Sequence, residues 1–194
     1  MKRLAAVLAA LLLLPGCAAE RDDDRAERLQ ERYASMSGCT ALVEAELERG
    51  EERCAYTLEI ERSGTETRVT VREPEQLAGI SARVGDDELL RLEFDGMVLD
   101  AGSLDENVSA SNAVSIFLRA AAEGCVSERG VEDCEGCADS LRLCFKTEHG
   151  GETLMVTAWF DGDDAPIYAE IEENERILAY LRFTDFTFCD ILTD

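Results

Sequence analysis

The chain has 194 residues, 46% of them hydrophobic, with 19 basic side chains against 42 acidic ones and a formal net charge of −23. Such a field repels phosphate backbones and anionic lipid head groups, which excludes a nucleic-acid-binding role and a body that lies flat on a membrane. The apolar residues are plentiful and regularly spaced, which excludes a disordered polyanion.

Lys2 and Arg3 precede an unbroken apolar run, Leu4 to Leu14, which ends in Leu14-Pro15-Gly16-Cys17. About 20 apolar residues are needed to span a hydrocarbon core. The run is shorter than that and has the flanks of a signal peptide. Its end resembles a bacterial lipobox, in which a small residue precedes a cysteine that is diacylated and becomes the new N-terminus. Ordinary secretory cleavage near Ala18-Ala19 is the competing reading. The lipobox reading divides the chain into a signal peptide (1–16), a lipidated tether (17–21) and one domain (22–194). It places that domain on the extracytoplasmic face of the cell membrane, held by a palmitate-type acyl anchor on Cys17.

The spacing of Ala26, Leu29, Tyr33 and Met36 predicts a helix from Asp22 to Met36, with Gly38 as its stop. From Cys39 the period changes to two. Ala41, Val43, Ala45 and Leu47 alternate with polar neighbours, and Cys54, Tyr56, Leu58 and Ile60 do the same after a turn at Gly50. Val69 and Val71 mark a third strand. Ile80, Ala82 and Val84 mark a fourth. Leu90, Leu92 and Phe94 mark a fifth, which enters the hairpin dipeptide Asp95-Gly96, and Met97 to Ala101 return. Val114, Phe117, Leu118, Ala121 and Ala122 then form a helical stripe, with Ser111 as predicted N-cap and Gly124 as predicted stop. Cys125 to Ser140 reads as an acidic loop. Strands resume over Leu141–Lys146, Leu154–Phe160 and Ile167–Glu172, and a last one carries Ile177, Ala179, Leu181, Phe183, Phe186 and Phe188. The fold class is mainly β with α. It is an incomplete, strongly curved antiparallel barrel of about ten strands, with an N-terminal helix and one inserted helix on the concave face.

The layout resembles the LolA-like lipoprotein-carrier superfamily. The features that carry the likeness are the lipobox, the leading helix, a long meander with one inserted helix, the segment Glu73 to Ile80 between the third and fourth strands, and the C-terminal Phe183-Thr184-Asp185-Phe186-Thr187-Phe188. Small membrane lipoproteins of spore-forming bacteria, including the germination lipoprotein, are the nearest members by this likeness. The resemblance implies an incomplete barrel over helices with an apolar interior, which carries acyl chains in some members and serves protein binding in others.

Candidate chemistry is sparse. After Cys17 seven cysteines remain, an odd number. Cys134-Glu135-Gly136-Cys137 lacks a second pair at zinc-site spacing, so no metal is expected. Cys125 with Cys134 or Cys137 is the expected local bridge, whereas Cys39 and Cys54 flank one hairpin at unequal distances from its turn and should not pair. His149, the single histidine, sits beside Gly150-Gly151 in a predicted turn. No nucleophile motif accompanies it, and neither catalysis nor a cofactor is expected. Asp161-Gly162-Asp163-Asp164 and Gly85-Asp86-Asp87-Glu88 lack the full spacing of a calcium loop and read as turns. The candidate lining of an apolar cavity is Val43, Leu47, Leu58, Ile60, Val69, Val71, Leu90, Leu92, Phe94, Val114, Phe117, Leu118 and Trp159. The expected role is a tethered scaffold for a basic cell-envelope protein. The alternative is a carrier or binder of a lipid or other apolar ligand.

Overall fold

In the computed structural model the described residues are 16–50, 52–85, 89–103, 107–134 and 137–189, with side chains of the first helix described from Asp24 onward. The leader before Gly16 and the lipid attachment at the Cys17 side chain lie outside them. The elements are α1 (Gly16–Ser35), β1 (Gly38–Arg49), β2 (Glu52–Ser63), β3 (Glu66–Glu73), a 3-10 turn (Glu75–Leu77), β4 (Ser81–Val84), β5 (Leu89–Phe94), β6 (Met97–Ser103), α2 (Ala113–Glu123), β7 (Cys125–Cys134), β8 (Cys137–His149), β9 (Glu152–Phe160), β10 (Pro166–Glu173) and β11 (Arg176–Cys189). Among the described residues no helix is long and apolar enough to cross a membrane.

The eleven strands of the described residues form one antiparallel sheet in the order β6-β5-β4-β3-β2-β1-β11-β10-β9-β8-β7. Two meanders, β1 to β6 and β7 to β11, are joined at the centre where β1 pairs β11. The far edges, β6 and β7, do not pair, and the connection between them runs through α2. The sheet is therefore a curved, unclosed barrel, as the alternation predicted.

The turns follow from residue type. Asp95 and Gly96 have φ of 50° and 75°, and Gly150 and Gly151 have 60° and 85°. Both pairs suit the primed turns whose twist matches a hairpin. Gly38 and Gly124 are required by close approach. A Cβ on Gly38 would lie 2.3 Å from the Arg62 carbonyl oxygen, and one on Gly124 would lie 2.5 Å from the Ala120 oxygen.

Period-two alternation places Val43, Leu58, Ile60, Val69, Leu143, Val156, Phe160, Ile171 and Leu181 on the concave face, and all are buried. The stripes of α1 (Ala26, Leu29, Tyr33) and α2 (Val114, Phe117, Leu118) close over them. At the centre the Tyr33 ring meets Phe117, Phe160 and Phe188 with centroids 6.1, 5.8 and 5.4 Å away, and Phe117 meets Phe183 at 4.8 Å. The turn between β9 and β10 holds α1 down. Arg25 donates to the Asp161 carbonyl and Arg32 to that of Asp163, each at 2.5 Å, and the Tyr33 hydroxyl donates to that of Asp164 at 3.1 Å. Both arginines also face the Asp164 carboxylate, at 3.6 and 3.7 Å. This acidic turn is thus a helix anchor whose charge is met by arginine.

Three local expectations are corrected. Helix α1 begins at Gly16, ahead of the Asp22 start that its apolar face suggested. Ser111 does not cap α2. Asn112 occupies the N-cap, fully buried, and ties down the preceding segment: its Oδ1 accepts from the Ser109 amide at 2.7 Å and its Nδ2 donates to the Asn107 carbonyl at 2.8 Å. Cys125 to Ser140 is a hairpin, β7 with the start of β8. β7 is an edge strand with polar residues on both faces, so no apolar alternation announced it.

Candidate functional site

Among the described residues the concave face has three kinds of region: a packed centre, residual cavities beside it, and an uncovered apolar margin. Of the thirteen cavity candidates, Val43, Leu58, Ile60, Val69, Val114 and Phe117 are spent on the packed centre. Val71, Leu90 and Leu92 are half-buried against it. Leu47 and Leu118 each line a residual cavity. Two candidates lie elsewhere. Phe94 is 50% exposed, because it sits at the tip of the β5–β6 hairpin beyond the reach of either helix. Trp159 lies on the convex face, opposite in alternation to Val156 and Phe160. Its indole nitrogen donates to Glu132 at 2.5 Å.

The first cavity, of about 420 Å³, opens where the β1–β2 and β10–β11 turns meet the segment before α2. Leu47, Tyr56, Val108, Leu154 and Leu178 line it, with Glu48, Glu173 and Arg176 at its rim. Arg176 donates to the Gly50 carbonyl at 2.9 Å and so ties the two turns together. The second, of about 270 Å³, lies between β2–β3, the α1 C-terminus, α2 and the β8–β9 turn. Its lining includes Arg62, Ser115, Arg119 and His149. No sequence pattern links these residues, which come from separate elements. Arg62 was legible in principle, since it occupies the inward register of Leu58 and Ile60.

The uncovered margin is the β5–β6 hairpin. Leu92 pairs with Leu99 and Phe94 with Met97, in register with Ala82 on β4, so the apolar inner face continues beyond the helices. Met97 and Leu99 are 64% and 66% exposed, and Val98 projects from the other face at 61%. β6 is also a sheet edge. An edge strand with exposed apolar side chains is a template for pairing with another chain.

The convex face carries an aromatic ladder that the sequence did not disclose. Trp159, Tyr168 and Tyr180 follow one another across β9, β10 and β11 with centroid spacings of 5.4 and 6.3 Å. The Arg142 and Arg53 guanidinium groups lie 5.8 and 5.6 Å from the end rings.

The described cysteines do not gather in one cluster. Cys134 and Cys137 are cross-strand partners at the β7–β8 turn, whereas Cys125 begins β7 and pairs with Lys146. Nine residues of extended strand put Cys125 roughly 30 Å from Cys134, far beyond disulfide reach. The expected bridge from Cys125 to either residue is therefore excluded by geometry. Cys54 faces Leu47 and Cys39 faces Arg62, consistent with the expectation that these two do not pair. Cys39 is fully buried, and burial pushes its thiol up to about 12.

No family model matches this sequence, and no curated protein does. Solved structures do. A DUF1329 family protein from Desulfovibrio piger superposes with a TM-score of 0.50 at 10% identity, covering 90% of this chain and 95% of that one. The fold neighbours of this chain also include a LolA superfamily protein. That protein, from Nitrosomonas europaea, gives a TM-score of 0.47 at 11% identity over 88% of this chain and 94% of its own. An uncharacterized conserved protein from Thermus thermophilus gives 0.49 at 13% identity, with 90% and 89% covered. Identity this low speaks to fold alone, so chemistry must be argued from the residues described above.

Proposed function

We propose that this chain is a membrane-tethered, extracytoplasmic docking module without enzymatic activity, and that the β5–β6 margin receives a cell-envelope protein of basic character. One observation carries the reading: the centre of the half-barrel is filled by its own helices, while apolar side chains stay exposed on an edge strand. A dedicated carrier keeps its apolar surface enclosed and empty. Here the arrangement is reversed. Phe94, Met97 and Leu99 offer apolar contact, and β6 offers unpaired backbone for strand addition. Asp95 and Asp100 flank them, and the acidic whole would steer a basic partner toward the edge. The tether is the acyl group proposed on Cys17, supported by the charged start and short apolar run of the leader. The reading of the chain as non-enzymatic rests on the lack of a nucleophile motif around its single histidine.

The 420 Å³ cavity supports a second reading, binding of a small apolar ligand, through its five apolar walls. The two separate in one experiment. A photoreactive residue replaces Leu99 in the full-length protein in its source cells, with Thr57 as the convex-face control. The docking reading expects one protein adduct of defined mass, formed from position 99 alone and reduced by salt. Lack of an adduct there, together with a stoichiometric lipid in native mass spectrometry of the purified chain, would replace it with the ligand reading.

A further inference from the structure

The 270 Å³ cavity has a composition at odds with the rest of the molecule. In a chain with more than twice as many acids as bases, it gathers two arginines and the single histidine, with Glu123 as the one acid on its described wall. Arg62 enters from β2, on the concave face, where Cys39 is its partner in register and burial is otherwise apolar. Its Nη1 donates to the buried Thr67 hydroxyl at 3.1 Å. Its Nε is shielded from solvent and meets no acceptor, and among the described residues no carboxylate forms an ion pair with this side chain. The Ser115 hydroxyl, on the α2 wall of the same cavity, is likewise shielded and without a partner. Buried donors left unmade are costly, and a charged one more so.

The opposite end of the wall is fixed in place. Arg119 donates from Nη2 to the Glu148 carbonyl at 3.0 Å and approaches His149 Nδ1 at 3.3 Å. Met36, Val84, Ile116, Leu118 and Ala122 supply the apolar part of the wall, and Tyr33, Thr65, Thr67 and Glu123 also line it.

We propose that this cavity binds a small oxyanion borne on a short apolar group, with Arg62 and Ser115 as its hydrogen-bond donors, Arg119 as a second positive charge and the apolar walls around the attached group. A guanidinium presents paired N–H groups that match two oxygens of a carboxylate or a phosphate monoester. The volume suits a head group and a few carbons and is too small for a long acyl chain. The proposal rests on neither the β5–β6 margin nor the tether, so each can fail alone.

The test is calorimetric titration of the full chain in non-ionic detergent with phenyl phosphate, benzoate, inorganic phosphate and benzyl alcohol. Phenyl phosphate or benzoate should bind one to one, and which of them binds tighter assigns the oxyanion. Inorganic phosphate and benzyl alcohol should each bind at least tenfold more weakly. Arg62→Gln should weaken the aromatic anion tenfold or more and Ser115→Ala a few-fold, with Arg91→Gln on the exposed β5 unchanged. In the unaltered chain, the aromatic anion should slow phenylglyoxal modification of Arg62, read by peptide mass. This second measurement holds even if Arg62→Gln fails to fold. Benzyl alcohol binding as well as the anions, or an Arg62 modified at the same rate with and without them, would overturn the proposal.

Discussion

At the residue scale, the roles of individual side chains follow from which face of the sheet they occupy. Phe117 illustrates the packed centre. It is fully buried and touches Tyr33, Phe160 and Phe183, so it belongs to both helices and the sheet at once. Phe117→Ala should cost about 3–5 kcal/mol, the range for a large aromatic removed from a core that cannot collapse. Chemical denaturation would measure it, and a loss below about 1 kcal/mol would show that the centre is loosely filled. The cysteines give a second test at this scale. With its thiol pushed up to about 12 by burial, Cys39 is almost wholly protonated at neutral pH, and the thiolate is the nucleophile. Iodoacetamide at mildly alkaline pH should label the exposed Cys125 and Cys189 promptly and leave Cys39 unmodified until the chain is unfolded. Peptide mass spectrometry reads the order, and early labelling of Cys39 would contradict its burial.

At the element scale, the β7–β8 hairpin joins residues that the sequence had separated differently. Cys134 and Cys137 face each other across its turn. Treatment with oxidised glutathione should therefore link these two and leave Cys125 out of any bridge with them. A Cys125–Cys134 peptide in a non-reducing map would refute the register. A different pair of elements shows how charge supports the sheet. Arg68 and Arg83, from β3 and β4, both donate to Glu93 on β5 and hold its carboxyl below the ordinary range. A lowered folded value means that this contribution is present above the ordinary glutamate range and is lost as pH falls through the lowered value. Glu93→Gln should accordingly remove part of the acid-side fall in melting temperature while leaving the fold intact. Most elements were legible because alternation and turn dipeptides coincide. Leu58-Glu59-Ile60 reads as a strand with one face in, and Asp95-Gly96 reads as its kind of turn. β7 was not legible, because an edge strand with two polar faces carries no period. Arg62 was passed over for the opposite reason: a single charge on an apolar face breaks the pattern, and pattern reading discards it. Trp159 was misassigned because a large apolar residue suggests an interior. Here it packs with Tyr168 and Tyr180 on the convex face.

At the scale of the whole molecule, two electrostatic effects oppose each other. Surface ion pairs such as Arg53 with Glu46 and Glu48, or Arg142 with Glu128 and Glu132, stabilise the sheet and are weakened by salt. Each has at least one solvent-exposed partner, and such pairs are worth roughly 0–1 kcal/mol. Against them stands the mutual repulsion of a −23 body, which is relieved by the same salt. With 19 basic charges against 42 acidic ones, the negative charge is less than half compensated. The repulsion should be the larger effect. The melting temperature should thus rise between about 0.01 and 0.5 M sodium chloride, a range over which the screening length falls from roughly 30 Å to a few ångströms. Sodium chloride is the right salt for this test, because sulfate would add a general strengthening of apolar burial that mimics the effect. The same screening should weaken capture of a basic partner at the β5–β6 margin, so the protein alone gains stability under the conditions in which its complex loses affinity. Differential scanning calorimetry of the full chain across that range decides the first half. A melting temperature that falls with salt would mean that the arginine–carboxylate pairs outweigh the net charge, and the acidic surface would then have to be read as a stabilising network.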